Sequence, residues 1–581
     1  MTRASELVRR VLVIAGVSAL LAARSVVADW PVDGRAICTA PDGQTHTASA
    51  PDGLGGAILT WQDSRAPKVN LFAHHVLASG ELDPAWPVNG RALVSNTVAV
   101  IAGGPFGPVI TSDGAGGAFI AWLDLRDSTA EAFDIYAQHV LASGVIDPDW
   151  KTDGNAVIAF DGPQESPAIV SDGAGGAIVT WMDGRPGASQ RDIYAQHLVA
   201  TGVDPHWPLN GLPVSTAPGL QEFPALVADG DGGAIITWDD GRSGTTGFDI
   251  YALHVQGSAS FDRFWPLDGL ALCTATGDQG RPNITSDGAH GAIVAWSDAR
   301  VVGTSHIFAQ HVQVHGVIDP SWPANGRGIS NAGSVESRPI AISDGAGGAV
   351  ITWQALAVHL NMYAQHVQST GAIDPAWPAG GRALSVTPRQ QSDASAASDG
   401  AGGAIVTWTD SSDVVAQHVR FSGALDSAYP DTGRVLVGLP STQGDATIVG
   451  TGDGGAIVAW TDTRSGTGAD IFALQVLAAA PVGVFDAPPL DVSFARPSPN
   501  PARTPTTLRF SLPRAMPVSL AVYDAAGRLV RELLHGVQSA GSQVMAWDLR
   551  DERGRPVRSG LYLVRLEAEG RPLTQRVMAL Q

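Results

Sequence analysis

One unit recurs eight times between residues 29 and 477, and self-similarity at this period restricts the chain to a repeat architecture before any residue is read singly. The first landmark is Asp-Gly-x-Gly-Gly-Ala followed by an apolar run ending in tryptophan, as in Ser171-Asp172-Gly173-Ala174-Gly175-Gly176-Ala177-Ile178-Val179-Thr180-Trp181. The tryptophans that end it are Trp61, Trp122, Trp181, Trp238, Trp296, Trp353, Trp408 and Trp460. A second landmark resembles Asp192-Ile193-Tyr194-Ala195-Gln196-His197, and the third is Trp-Pro-x-x-Gly, as in Trp86-Pro87-Val88-Asn89-Gly90. Each unit thus holds four strand-like runs. In the third unit these fall at 168–171 (a), 177–183 (b), 192–199 (c) and near 212–215 (d), with the Asp-Gly segment as the a–b hairpin, because Asp and Gly tolerate the positive φ of such turns.

Four short strands in a repeat of this length mark a propeller blade. The two ends of the array predict how the ring closes. The chain after its leader begins with an orphan strand d, Trp30 to Ile37, and the last unit stops after strand c near Leu477, so the first strand is expected to complete the eighth blade and leave no open edge. The predicted fold is all-β: an eight-bladed β-propeller closed by the N-terminal strand, plus a C-terminal Ig-like β-sandwich. With 68 glycines and 16 tryptophans among 581 residues and only 16% charged, the composition suits short strands joined by tight turns.

A net charge of −20, with no Lys/Arg cluster to offset it, excludes nucleic acid as a partner. Arg3, Arg9 and Arg10 precede an apolar run from Val11 to Ala23 and then the small-residue stretch Val26-Val27-Ala28, so residues 1–28 read as a cleaved signal peptide; the run is shorter than the roughly 20 residues of a spanning helix. No transmembrane segment is expected in the mature chain, which is placed outside the cell or on its surface after passing through the periplasm. Cys38 and Cys273 occupy equivalent places in two blades and are expected to be free, buried thiols. The strand-c histidines at 75, 139, 197, 254, 311, 366 and 418 are spread around a ring instead of converging, so a packing role is expected and no metal or other cofactor.

The b–c and d–a connections of a four-stranded blade open on one face. Strand b leaves through Asp-x-Arg in six blades, including Asp183 with Arg185 and Asp240 with Arg242, and the d–a connections bring Gln164, Glu165, Gln221 and Glu222 to the same face. Repetition by itself explains these as ion pairs and turn caps. Their functional reading is a polar rim for an extracellular glycan or protein, tuned by b–c loops of differing length. No catalytic constellation is recognised. The alternative is a propeller-fold carbohydrate-active enzyme, a sialidase-like hydrolase or a polysaccharide lyase, with Glu165, Glu222 and Glu336 as the acids to test.

Residues 478–495 form a small-residue and proline linker, and from 496 to 581 the pattern changes to longer alternating strands. Pro499-Asn500-Pro501, Thr506 to Pro513, Val522-Tyr523-Asp524-Ala525-Ala526-Gly527-Arg528-Leu529-Val530, Trp547-Asp548 and Ser559-Gly560-Leu561-Tyr562 form an ordered series that resembles the FlgD-like Ig fold shared with type IX secretion (Por) sorting domains. The resemblance covers about one seventh of the chain. It implies a module for export or surface attachment whose partner is secretion machinery. The blade repeat likewise resembles tandem repeats of exported bacterial proteins carrying Trp-x-Asp-x-Arg and Asp-Ile-Tyr-Ala-Gln, which implies fold and compartment but no ligand. A monomer is expected.

Overall fold

A computed structural model describes residues 30–580, except 66–68, 95–106, 127–132, 186–189, 245–246, 331–334, 357–358, 478–491 and several short stretches beyond 494. The expected signal peptide and most of the expected linker lie outside the described residues. Those described form strands and turns with no helix, and divide into two compact units, 1–479 and 480–581.

The first unit consists of eight antiparallel sheets, each with four principal strands, in a propeller-like order. In sheet three, strand b (Ala177–Asp183), strand c (Asp192–Val199) and strand d (Leu212–Ser215) match the sequence reading. Strand b is buried at every position in nearly every sheet, because the sheets on either side cover both its faces; this is why it reads as a continuous apolar run and not as an alternation. The innermost strands neighbour one another in chain order, and that of sheet eight lies beside that of sheet one. Arg35–Cys38 pairs antiparallel with Asp470–Leu477, Arg35 opposite Ala473 and Ala36 opposite Phe472. Cys38 and Cys273 are free and buried, in sheets eight and four, and burial pushes both thiols up to about 11.

Two devices lock the sheets. The strand-b tryptophan lies against the Trp-Pro-x-x-Gly turn of its own sheet: a Cβ on Gly211, which has φ +94°, would sit 2.6 Å from Trp181 Cη2, so that position requires glycine on both steric and conformational grounds. The tryptophan of that turn reaches into the next sheet, where Trp86 Nε1 donates to Ala142 O at 3.1 Å and Trp207 Nε1 to Gly257 O at 3.0 Å.

The strand-c histidines have a sharper role than packing. Each bridges two aspartates, one from the a–b hairpin and one from the c–d turn. In sheet three His197 Nε2 lies 3.0 Å from Asp172 and Nδ1 2.9 Å from Asp204. The pattern repeats in sheets one to seven, and sheet eight carries Gln475 and Thr451 where the others have histidine and hairpin aspartate. Among the described residues no group of three or more His, Cys, Asp or Glu side chains is arranged to hold a metal ion.

The second unit is a sandwich. Ser493–Phe494, Thr506–Leu512 and Gly541–Trp547 form one sheet; Leu529–Gln538, Met516–Asp524, Gly560–Ala568 and Arg571–Ala579 form the other. Leu508, Phe510, Leu520, Val522, Trp547, Tyr562 and Leu566 fill its core, with Trp547 edge-on to Tyr562.

Candidate functional site

The Asp-x-Arg motif is a clasp. Asp183 has no exposure; its Oδ2 accepts from Trp181 Nε1 at 2.8 Å, and both its oxygens accept from Arg185 at 2.8 Å. Arg185 also donates to Asn210 O at 3.0 Å in the Trp-Pro-x-x-Gly turn, and its guanidinium lies 3.7 Å over the Tyr194 ring. Asp240 and Arg242 repeat every element with Trp238, Asp268 O and Tyr251. Burial opposes the charge on Arg185 and Arg242, but the aspartate hydrogen bonds outweigh it and hold both guanidinium groups above their ordinary range. Asp192, opposite Asp183 across the b–c hairpin, is pushed up to about 6 by burial and then by the Asp183 charge. Where the motif is lost, in sheets six and seven, Trp353 Nε1 and Trp408 Nε1 have no hydrogen-bond partner.

These contacts give the residues of the expected rim a structural part within their own sheets. Asp183, Asp240, Gln164 and Gln221 are all fully buried, the glutamines donating to Gly162 O and Gly219 O as turn caps, and the Nε and Nη2 donors of Arg185 and Arg242 are bonded within their own sheets. Charge reversal at either arginine would break the fold before it tested binding. An Asp240→Ala variant is expected to lose about 3 kcal/mol of stability, because it strands Arg242 and Trp238 Nε1 together. Urea denaturation reads this directly, and an unchanged midpoint would contradict the clasp.

Glu165 and Glu222 differ. They occupy the same position in strands a of sheets three and four, and both hold Arg191, Glu165 at 2.7 Å and Glu222 at 3.2 Å. Opposite Glu222 in register is Asp239, whose two oxygens accept the backbone N–H of Arg281 in the next sheet at 2.9 and 3.1 Å. Burial lifts the Asp239 carboxyl well above the carboxylate range, and the Glu222 charge adds to it. Sequence reasoning missed Asp239. The available signal was its position between Trp and Asp, where the other sheets carry Gln62, Leu123, Met182, Ser297, Gln354, Thr409 and Thr461. Glu336, also named from sequence, is fully buried and held by Ser330 and His306.

The larger omission is the inner mouth. Strand a of sheet three begins at Gln164, four residues before the sequence reading placed it, and is interrupted by a bulge between Glu165 and Ala168. The bulge puts Ser166 at φ +51°, and the same break sets His46, Phe223, Arg281, Arg338, Asp393 and Asp445 at φ between +48° and +57°. Proline follows in four of these sheets, as Pro167, Pro224, Pro282 and Pro339, where the bulge leaves no ladder bond for an N–H to make. Non-glycine residues in this region cost of order 1 kcal/mol each, a strain that clusters at functional sites. These residues, with Gly107 in sheet two, line a cavity of about 880 Å³ among the inner strands. Arg338 meets Asp393 at 3.4 Å, and Arg281 stacks 3.7 Å over Phe223.

The FlgD Ig-like domain family matches residues 500–571, so the C-terminal unit carries such a domain. No curated protein matches the chain. Among solved structures, a Dyadobacter fermentans protein of unknown function is 10% identical over 54% of this chain and 94% of its own, with a TM-score of 0.31. The Penicillium chrysogenum alpha-L-arabinanase complexed with arabinobiose is 12% identical over 54% and 93%, with a TM-score of 0.34. FlgD from P. aeruginosa is 26% identical over 13% of this chain and 59% of its own, with a TM-score of 0.11. None of these likenesses bears on what the cavity binds.

Proposed function

We propose that this is an exported or cell-surface binding protein: a closed eight-bladed propeller takes a polar ligand, glycan or protein, at the mouth of its central cavity, and the C-terminal module serves type IX export or surface attachment. The observation that carries the reading is the bulge ring. The hairpin, the strand-b tryptophan and the strand-c histidine recur from sheet to sheet, whereas this strained position at the cavity carries His46, Ser166, Phe223, Arg281, Arg338, Asp393 and Asp445 in turn. A position needed only for packing would repeat with the packing; one that diversifies on a rigid frame suits recognition. A second reading, a carbohydrate-active enzyme, is favoured by one feature, the pairing of a buried carboxyl of raised pKa, Asp239, with an ion-paired acid, Glu222.

The test is a glycan-array and surface-extract screen with the full chain and with Ser166→Phe, a change whose backbone demand sheet four already meets with Phe223. Filling the mouth should weaken binding about tenfold or more at an unchanged melting temperature. Unaltered binding would refute the mouth, and release of reducing sugar from the bound glycan would favour the enzyme. For the second half of the proposal, the chain with and without 496–581 is expressed in the native host and fractionated. Periplasmic retention of the truncated form is expected, and identical distributions would reduce the module to a passive sandwich.

A further inference from the structure

Arg281 is unlike the other charges near the mouth. Arg338 is paired with Asp393, Arg191 is shared by Glu165 and Glu222, and the Asp445 carboxylate faces the His46 N–H at 3.4 Å. The Arg281 side chain is exposed and lines the cavity, and its guanidinium enters no ion pair among the described residues. It is nevertheless held in place at both ends. Asp239 grips its backbone N–H with both oxygens, and the guanidinium carbon lies 3.7 Å over the centre of the Phe223 ring.

A guanidinium stacked on an aromatic ring has its plane fixed and its edge donors free, the geometry that receives a planar carboxylate through two parallel hydrogen bonds. Because the stacking orders the side chain before any ligand arrives, less entropy is lost on binding. The surroundings select the charge of the guest. Arg338 is paired with Asp393 and the Asp445 carboxylate faces the His46 N–H, so the single positive charge of Arg281 is left to be balanced by the single charge of one carboxylate. The wall beside Arg281 carries Asn283, whose Oδ1 accepts the Ala341 N–H at 2.8 Å, and further round the Ser49 and Thr447 hydroxyls bond each other at 2.7 Å, a polar lining compatible with a hydroxyl-rich guest.

We infer that the Arg281–Phe223 pair at the cavity mouth is the recognition point for the carboxylate of a uronic-acid unit in a polysaccharide. This rests on the reading of the mouth as the ligand site and names the ligand class. The probes are polygalacturonate, its methyl-esterified form, a neutral galactan and poly-glutamate, titrated calorimetrically into the full chain. Polygalacturonate should bind, with esterification and Arg281→Gln each weakening it about tenfold or more. Arg281→Lys should restore only part of this, because an ammonium lacks the fork. Phe223→Leu keeps the charge and removes its support, so it should weaken binding less than Arg281→Gln, and it serves as the test if the arginine variant fails to fold.

Equal binding of esterified and free polymer, wild-type affinity in Arg281→Gln, preference for poly-glutamate, or no binding of polygalacturonate would each overturn the inference. The two proposals can fail separately. A glycan lost in Ser166→Phe but retained in Arg281→Gln would leave the mouth standing and remove the carboxylate.

Discussion

A His366→Leu variant is expected to be about 3–5 kcal/mol less stable than the parent chain, among the largest single-residue effects available in the protein. His366 Nε2 lies 2.9 Å from Asp344 and Nδ1 2.8 Å from Asp374, and its side chain is only 2% exposed. Removing the ring leaves two nearly buried carboxylates facing the gap with no donor between them, and leucine can satisfy neither. Adding Asp344→Asn should recover part of the loss by removing one of the stranded charges.

The same bridges set a pH profile. Burial alone would depress the histidine pKa, but the hydrogen bonds that the ring N–H groups donate to both aspartates outweigh it and raise His75, His197, His311, His366 and His418 above 6.5. A raised folded value means that this stabilisation is complete below the unfolded pKa and is lost as pH climbs through the folded one. Asp52, Asp172, Asp287, Asp344 and Asp399 are lowered from 3.8, their histidine and hairpin N–H bonds outweighing burial, so their contribution is present above that value and is lost as pH falls through the folded pKa. Stability should therefore peak between the two ranges. Urea midpoints of the parent should fall from pH 6 towards alkaline pH, and His366→Leu should show a shallower fall. A flat parent profile above pH 6.5 would mean that the histidines are neutral in the fold.

Deleting residues 30–40 should lower the melting temperature by roughly 5 to 10 °C and make it depend on protein concentration. The segment supplies buried Ile37, Cys38 and Ala40, seats Trp460 against Gly34 and accepts Arg464 on Asp33 O at 2.8 Å. Trp30 packs on Gly80 of sheet one as Trp86 packs on Gly144 of sheet two. Without it Asp470–Leu477 becomes an open edge, available to a second copy. A truncated chain that melts with the parent and stays monomeric would show that the N-terminal strand is dispensable.

Much of this architecture was legible in the residues because a repeat reports its own boundaries. Strands b, c and d of sheet three fall where the apolar runs and the Asp-Gly and Trp-Pro-x-x-Gly turns place them, and the orphan strand before Cys38 pairs where its missing partner lies. Strand a was read short, because Ser166-Pro167 looks like a turn and is instead a bulge within the strand. For the candidate site, sequence periodicity brought out Asp183, Arg185, Asp240 and Arg242, and in space those residues bond one another within their own sheets. Glu165 and Glu222 were found, but Arg191 and Asp239, which give them meaning, were not. The physical reason is that repetition along a chain records which contacts every sheet must make, and those contacts consume the hydrogen-bonding capacity of the repeated residues. Which groups are left unpaired, and that Phe223, Arg281, Arg338 and Asp393 meet around one cavity, depends on strands 55 or more residues apart closing into neighbours.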